Sequence, residues 1–341
     1  MSIATEITRL NNAKASIKSA IEAKGVTVPQ DAKIDSYSVY IEQIPQGGGE
    51  YEPICFTSLE DGNTFQLNKE ISISVDGKQT WQTLSANTNS PVINTGEKIY
   101  FRATENASPF SGTTSNYYKF STEKTCNVSG HPYSLYAKGS FYFFANLFNS
   151  TKIVDASSLT LDADIVSNGC YDSMFEGCTS LTTAPELPAT TLANSCYNAM
   201  FRNCTSLVTA PELPATTLAN GCYSYMFYGC TSLTTAPELP ATILANFCYY
   251  GMFTNCTSLV TAPELPATTL TTWCYYYMFY NCSSLKYVKC LATDISATNC
   301  TRSWLLYVAS TGTFVKAAEM EDWLVGADGL PSGWTVVNDN A

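Results

Sequence analysis

Residues 196–207 read Cys-Tyr-Asn-Ala-Met-Phe-Arg-Asn-Cys-Thr-Ser-Leu, and this phrase recurs along the chain with a period of 26 residues. Its methionine falls at Met174, Met200, Met226, Met252 and Met278. Two cysteine columns keep the same step, one from Cys170 to Cys274 and one from Cys178 to Cys282. A fixed period in the twenties is typical of a solenoid, in which each repeat stacks on the next. The sequence therefore predicts a solenoid over residues 138–304, and it favours binding because a solenoid offers a long regular face.

Each coil is predicted to contain a short parallel strand and a short helix. Leu181–Ala184 is the strand candidate, and Pro185 and Pro188 limit its length because proline cannot donate to a sheet ladder. Leu192, Cys196, Met200 and Cys204 then recur every four residues, as on one face of a helix.

The repeated phrase also resembles a known family. Met-Phe-x-x-Cys-Thr-Ser-Leu with a leucine-proline step is similar to the BspA-type leucine-rich repeat, over about residues 147–300. This resemblance implies a leucine-rich-repeat solenoid. Such repeats occur in surface adhesins and in bacteriophage structural proteins, so the resemblance implies binding without specifying the ligand.

Residues 1–46 are predicted to be a separate helical segment, followed by a Gly-rich linker at 47–50. Its apolar stripe approaches a heptad seam and consists of Ile3, Ile7, Leu10, Ile17 and Ile21. We expect this stripe to form a homo-oligomer or to dock on another protein; the alternative is a small helical hairpin folded against the rest of the chain. Residues 13–29 resemble the N-terminal attachment regions of phage tail and fibre proteins, which implies other virion proteins as partners.

The remaining two regions complete a multidomain prediction. Residues 51–137 are predicted to be a β-sandwich-like spacer domain, because Asp61-Gly62 and Asp76-Gly77 are hairpin turn signals and Ile71–Val75 alternates. Residues 305–341 break the repeat and carry Trp323 and Trp334. They are predicted to cap the last coil.

Composition excludes some classes of partner. The net charge is −11, and no basic stripe appears, so we expect no nucleic acid. No run of 18 apolar residues occurs, so we expect no membrane span. The N-terminus lacks the apolar stretch of a signal peptide. A virion assembled in the host bacterial cytoplasm reconciles an adhesin-like repeat with this N-terminus.

The sequence carries no sign of catalysis, and we expect no enzyme, cofactor or metal site. Nucleotide, hydrolase and metal motifs are missing, and the single histidine, His131, is predicted to be structural. The repeat cysteines are predicted to be reduced core residues. Glu186, Glu212, Glu238 and Glu264 form a column that fits a solvated edge, although a row of oxygens could also hold calcium.

Aromatic residues accumulate towards the later coils at positions that lie off the Leu-Cys-Met-Cys face. We predict that they form a binding patch for sugar rings or for a protein; the alternative is that they pack against the cap or a neighbouring domain. The patch comprises Tyr225, Tyr228, Phe247, Tyr250, Trp273, Tyr276, Tyr277 and Tyr280.

These observations favour a bacteriophage virion component, a fibre or appendage, that displays its solenoid to a host-surface glycan or protein. Two alternatives stay open: a purely structural virion protein that packs on other virion proteins, and a bacterial surface adhesin.

Overall fold

A computed structural model gives the structure of the chain. It describes Lys14, Ile17 and Lys18 near the N-terminus, and then residues 51–104, 117–135, 144–162 and 167–339. Residues 1–52 and 53–341 form two compact units. In the first unit, Lys14, Ile17 and Lys18 are helical and the Ile17 side chain is exposed, but these three residues do not support the predicted helical segment at 1–46. The predictions for Ile3, Ile7, Leu10 and Ile21, and for the linker at 47–50, lie outside the described residues.

The second unit begins with the strands β1 (Ile54–Ser58), β2 (Phe65–Leu67), β3 (Ile71–Ser74), β4 (Gln82–Leu84), β5 (Lys98–Arg102), β6 (Phe120–Thr122), β7 (Cys126–Gly130) and β8 (Ile153–Leu159). Six of them form one sheet in the order β4-β3-β5-β1-β7-β8. Its neighbours pair antiparallel except for β7 and β8, which are parallel. A separate pair, β2 and β6, covers the sheet through Phe65 and Phe120, whose rings contact Phe56. A 3-10 helix follows β7 at Pro132–Leu135.

The prediction of a separate sandwich-like spacer at 51–137 is not supported. β8 belongs to the first coil of the solenoid, and its parallel pairing with β7 joins the sheet directly to that coil. The Phe120 ring stacks on Phe148, 5.8 Å away, and Phe148 packs at a tilt against Phe175 in the next coil. One continuous hydrophobic core therefore runs from the sheet into the repeats, because the first coil needs an apolar cover and the sheet supplies it.

The repeats form a β-solenoid of about eight turns. The prediction of a short helix in each coil is wrong. Every fourth residue of the repeated phrase has a positive φ, as at Gly169 (61°), Ser173 (54°) and Gly177 (73°). The N–H groups alternate between two kinds of acceptor: Met174 donates to Tyr171 O three residues back (3.2 Å), whereas Phe175 donates to Met200 O in the next coil (2.9 Å).

This alternation explains why a helix does not form. An α-helix requires successive N–H groups to bond carbonyls four residues back, and here half of them bond the neighbouring coil instead. The spacing of four in the sequence comes from this turn, whose period is also four. Two successive residues of each four-residue turn, such as Met200 and Phe201, consequently face the interior together.

The predicted parallel strand is present only as short contacts. Between β8 and β9, coils pair through isolated parallel bridges such as Thr209 with Thr235 and Thr217 with Ile243. The segment Pro211–Pro214 lies between two such bridges, which agrees with the limit that proline sets on a ladder.

Stacked rings and thiols fill the interior. The Tyr197 and Tyr223 rings lie 6.0 Å apart and 6° from parallel, and the Phe201 and Phe227 rings lie 5.7 Å apart and 7° from parallel. All fourteen cysteines are buried. In the second cysteine column, from Cys178 to Cys282, each thiol donates to the phenylalanine carbonyl one coil back, as from Cys230 Sγ to Phe201 O at 3.1 Å. The same bond recurs at Cys178, Cys204, Cys256 and Cys282.

The C-terminal segment covers the last coil. β9 (Tyr287–Cys290), β10 (Gly312–Lys316) and β11 (Trp334–Asn338) form a parallel sheet in the order β11-β10-β9. Trp304, which takes the methionine position of the final coil, is fully buried and stacks on Trp323 at 5.4 Å. Its indole N–H donates to Gly329 O (3.1 Å). This segment thus closes the end of the core.

Candidate functional site

The backbone positions with positive φ project side chains away from the core. They form three columns along the solenoid, and each column carries an aromatic residue in at least one of the later coils. The first column runs Gly169, Ser195, Gly221, Phe247, Trp273 and Asn299; the second runs Ser173, Ala199, Tyr225, Gly251, Tyr277 and Ser303; the third runs Gly177, Asn203, Gly229, Asn255, Asn281 and Tyr307. Bulky residues seldom adopt this conformation, which costs about 1 kcal/mol or more for each residue.

The aromatic positions are therefore unusual. Phe247 has φ 59° and Trp273 has φ 60°, at a site where other coils carry glycine, serine or asparagine. Tyr225 and Tyr277 both have φ 55°. Phe247 is 41% exposed and is not a member of the solenoid core, so packing of the core does not account for the strain.

All eight residues of the predicted patch lie on one continuous surface, here called the aromatic surface. Tyr250 connects its two halves: its ring lies 4.9 Å from Tyr225 and 5.0 Å from Tyr276, the latter nearly parallel at 4°. Phe247 stacks on Trp273 at 5.7 Å and 18°. The remaining contacts continue the chain of rings through Tyr225–Tyr228, Trp273–Tyr276, Tyr276–Tyr277 and Tyr277–Tyr280.

The rings pack mainly on one another. Among the described residues, one ring contact joins this surface to the C-terminal segment: Tyr280 lies 5.3 Å from Tyr307, which is itself exposed. Tyr276 is the innermost member at 8% exposure, while the other seven are half-buried or exposed. Gly251 makes room for one ring, because an added Cβ there would lie 2.8 Å from the Tyr225 ring.

A groove lies where the aromatic rings begin. Its volume is about 430 Å³. One wall consists of Tyr225, Phe247, Tyr250 and Trp273, and the floor consists of Ser195, Asn198, Asn220, Gly221 and Ser224. The groove forms because the first left-handed column changes from Gly221, which has no side chain, to Phe247 in the next coil.

Hydrogen bonds hold the floor in place. Asn198 Nδ2 donates to Asp172 Oδ1 at 3.1 Å, and Ser224 Oγ donates to Phe247 O at 2.8 Å, which fixes the strained residue. Asn220 Oδ1 accepts the N–H of Asn246 at 3.2 Å as part of an asparagine ladder. Because that oxygen already accepts a hydrogen bond, Asn220, which is exposed, offers a ligand the two N–H donors of its side-chain amide.

The hydroxyl groups at the centre of the aromatic surface stay protonated near neutral pH. Burial raises the pKa of Tyr250, and the hydrogen bond with Tyr277 raises the pKa of Tyr276 to about 12. Burial also raises the pKa of Tyr280. The surface therefore presents neutral donors and acceptors together with ring faces.

Sequence reasoning missed two parts of this site. Arg202 extends the aromatic surface, since its guanidinium lies 5.0 Å above the Tyr228 ring and its Nη1 lies 3.6 Å from Glu176 Oε1. The small polar floor was also missed. Its signal was present in the same columns that revealed the aromatic residues, because Ser195 and Gly221 occupy the positions of Phe247 and Trp273 in earlier coils.

The other candidate residues lie apart from this surface. His131 is buried in the sheet region, with Nε2 3.2 Å from Asp162 Oδ1 and Nδ1 accepting the N–H of Tyr133. The glutamate column is exposed, and its last member, Glu264, lies 3.3 Å from Lys289 Nζ. Across the described ranges, no group of three or more acidic, cysteine or histidine side chains is placed to hold a metal ion.

A comparison of the chain with protein-family models, with curated proteins and with solved structures finds no match in any of the three. The resemblances to BspA-type repeats and to phage tail and fibre regions consequently stay predictions. Within the part of the chain that the structure describes, no helix has the length and apolar character needed to cross a bilayer.

Proposed function

We propose that this chain is an attachment component of a bacteriophage particle, a fibre or appendage whose solenoid binds a host-surface glycan or protein. The observation that carries the proposal is the aromatic surface: eight rings meet at positions where the earlier coils carry small or polar residues. Recognition surfaces are enriched in tyrosine and tryptophan because these side chains combine large apolar area with polar groups.

Strain gives independent support for a binding role. The fold itself accepts glycine or serine at the first column, as Gly221 and Ser195 show. Phe247 and Trp273 at the same column therefore add an energetic cost that the core does not require. Residues kept in strained backbone conformations cluster at functional sites.

The binding role is tested by removing two rings at once. Trp273→Ala with Tyr280→Ala should leave the circular dichroism spectrum and the melting temperature within a few degrees of the parent, because both side chains are partly exposed. Binding to a glycan array, or to cells from a panel of bacteria, should weaken by at least about 30-fold, equivalent to about 2 kcal/mol. Tyr287→Ala, an exposed aromatic residue on β9 outside the aromatic surface, is the matched control.

Placement in a virion is a separate part of the proposal. It derives from the resemblance of residues 13–29 to phage attachment regions, and mass spectrometry of purified particles tests it. Detection of the chain only in host membrane fractions would favour the bacterial adhesin instead.

The N-terminal stripe is proposed as the oligomerisation or docking segment. The exposed apolar side chain of helical Ile17 agrees with that role. In light scattering, the full chain should be larger than a monomer, and a chain that starts at Tyr51 should be monomeric. A full-length monomer at tens of micromolar would leave docking to another virion protein as the surviving role.

One observation favours the purely structural virion protein as a second candidate. Tyr276 is nearly buried within the aromatic surface, and the rings stabilise one another by stacking. Such a preorganised surface also suits a fixed protein–protein contact. Unchanged attachment by the double variant, together with loss of particle assembly, would favour this candidate.

A further inference from the structure

The groove beside Phe247 is the place where a stack of rings stops. Phe247 and Trp273 stack along the first column, 5.7 Å apart and 18° from parallel. The next position in that column is Gly221, which has no side chain, and the one after it is Ser195. The groove thus occupies the space that another ring of the column would fill.

The lining shows which kind of ring fits there. Among the described residues, those that line the groove carry no formal charge. They offer the exposed amide of Asn220 and the hydroxyl of Ser195 beside aromatic faces. A charged ligand would find no counter-ion among these residues, whereas a polyol finds hydrogen-bond partners at its edge and an apolar surface for its face.

The size is also appropriate. Small-molecule sites typically have volumes of roughly 300–1,000 Å³, and this groove of about 430 Å³ lies at the lower end. Its wall is held rigid, because Ser224 Oγ donates to the Phe247 carbonyl and the Phe247 and Tyr250 rings both pack on Trp273. A rigid wall lowers the entropic cost of binding.

We propose that this groove binds one uncharged pyranose ring of a glycan. The ring's apolar face would lie on Phe247 in place of the missing side chain, and its hydroxyls would meet Asn220 and Ser195. This inference rests on the proposed function and narrows it to a site and a ligand class.

The test fills the groove with phenylalanine, the residue that the first left-handed column carries in the next coil at Phe247. Gly221→Phe continues the stack of Phe247 and Trp273, and the left-handed backbone already tolerates phenylalanine at that column. The added Cβ would meet Ser195 Oγ at 3.3 Å, the end of a short side chain. Ser195→Phe is the second filling variant, and Gly169→Phe places the same ring at the same column outside the groove.

Binding is measured by saturation-transfer NMR and calorimetry with defined probes. The neutral probes are methyl glycosides of glucose, galactose and N-acetylglucosamine, the charged probes are glucuronic acid and N-acetylneuraminic acid, and adenosine is the flat non-sugar probe. We expect at least one neutral glycoside to bind the full chain, and both filling variants to weaken it more than 10-fold. Gly169→Phe should bind like the parent.

The outcomes separate this inference from the proposed function. If the filling variants bind glycosides or cells normally while Trp273→Ala with Tyr280→Ala does not, the groove is not the site and the aromatic surface remains one. Preference for a charged probe or for adenosine would overturn the ligand class. Failure of the parent to bind any probe, array glycan or cell would overturn both proposals.

Discussion

The inner and outer sides of the same turns differ in how much the residue type varies from coil to coil. Inside, the columns keep one residue type from coil to coil, as with Tyr197, Tyr223 and Tyr249, and their rings stack nearly parallel. Outside, the first left-handed column changes from Gly221 to Phe247 between adjacent coils. The difference indicates that the interior is selected for stacking, whereas the exterior can vary without disturbing it.

The largest expected effect exploits the interior thiols. Burial raises the pKa of all ten repeat cysteines, for example that of Cys230 to about 12 and that of Cys178 to about 11; the others are Cys170, Cys196, Cys204, Cys222, Cys248, Cys256, Cys274 and Cys282. Below the ordinary thiol pKa of about 9, folded and unfolded chains bind the same thiol protons. Above it, the unfolded chain releases them while the folded chain keeps them, so stability falls as pH rises.

Each thiol should remove on the order of 1 kcal/mol for every pH unit above 9, and the ten together on the order of 10 kcal/mol, comparable with the stability of a whole domain. Thermal melts in reductant at pH 7.5, 9 and 10 should therefore show a steep alkaline loss. Cys230→Ala with Cys256→Ala should make that loss shallower. A melting temperature that stays constant from pH 8 to 10 would contradict the prediction.

A charge placed in the solenoid core, at a position of the methionine column, should have the next largest effect on stability. Met226→Asp buries a carboxylate without a partner, which costs several kcal/mol. We expect loss of cooperative solenoid unfolding in a thermal melt. Thr231→Asp, on an exposed residue of the same coil, should change little. A shift of only a few degrees for Met226→Asp would place that side chain outside the core.

Removing one ring from the inner stack should cost less. Phe201 lies between Phe175 and Phe227, at 5.6 and 5.7 Å. Phe201→Ala should lower the free energy of unfolding by about 3–5 kcal/mol in denaturant titration, because it leaves a cavity. Val208→Ala, an exposed control, should stay within about 0.5 kcal/mol.

The smallest effect concerns the outer column and should have the opposite sign. Phe247→Asn places at φ 59° a residue that tolerates this conformation, as Asn299 does in a later coil. Stability should be unchanged or higher by up to about 1 kcal/mol, while glycan binding is lost. A loss of more than about 1 kcal/mol in denaturant titration would mean that Phe247 serves the fold and not a ligand.

The repeat and its inward-facing residues could be predicted from the sequence, because buried positions keep the same residue type every 26 residues. It did not predict the backbone. Cys196, Met200 and Cys204 keep a spacing of four in a helix and also in a turn with a left-handed residue at every fourth position, so spacing alone could not separate the two. Asn203 and Gly229 were the available signal, since both residues favour positive φ.

The site was predictable in part for the same reason. Comparison of equivalent positions identified the aromatic residues, and the structure places them together. The groove could not be found by looking for aromatic residues, because its floor is defined by what Gly221 lacks. The continuity of the sheet with the first coil also left no local signal, since the pairing of β7 with β8 joins segments whose sequences do not resemble each other.

The bonding between coils has a genetic consequence. The coils at 181–206 and 207–232 are nearly identical, and apart from Thr182 and Val208 their differences lie in the turn, from Ser195 and Gly221 onward. Every coil presents the same N–H and C=O groups to its neighbours. Recombination between two such repeats would insert or delete 26 codons and leave every junction equivalent. Each inserted coil would lengthen the solenoid by about 4.8 Å. The groove would thereby move away from the six-stranded sheet while the residues of both stayed the same.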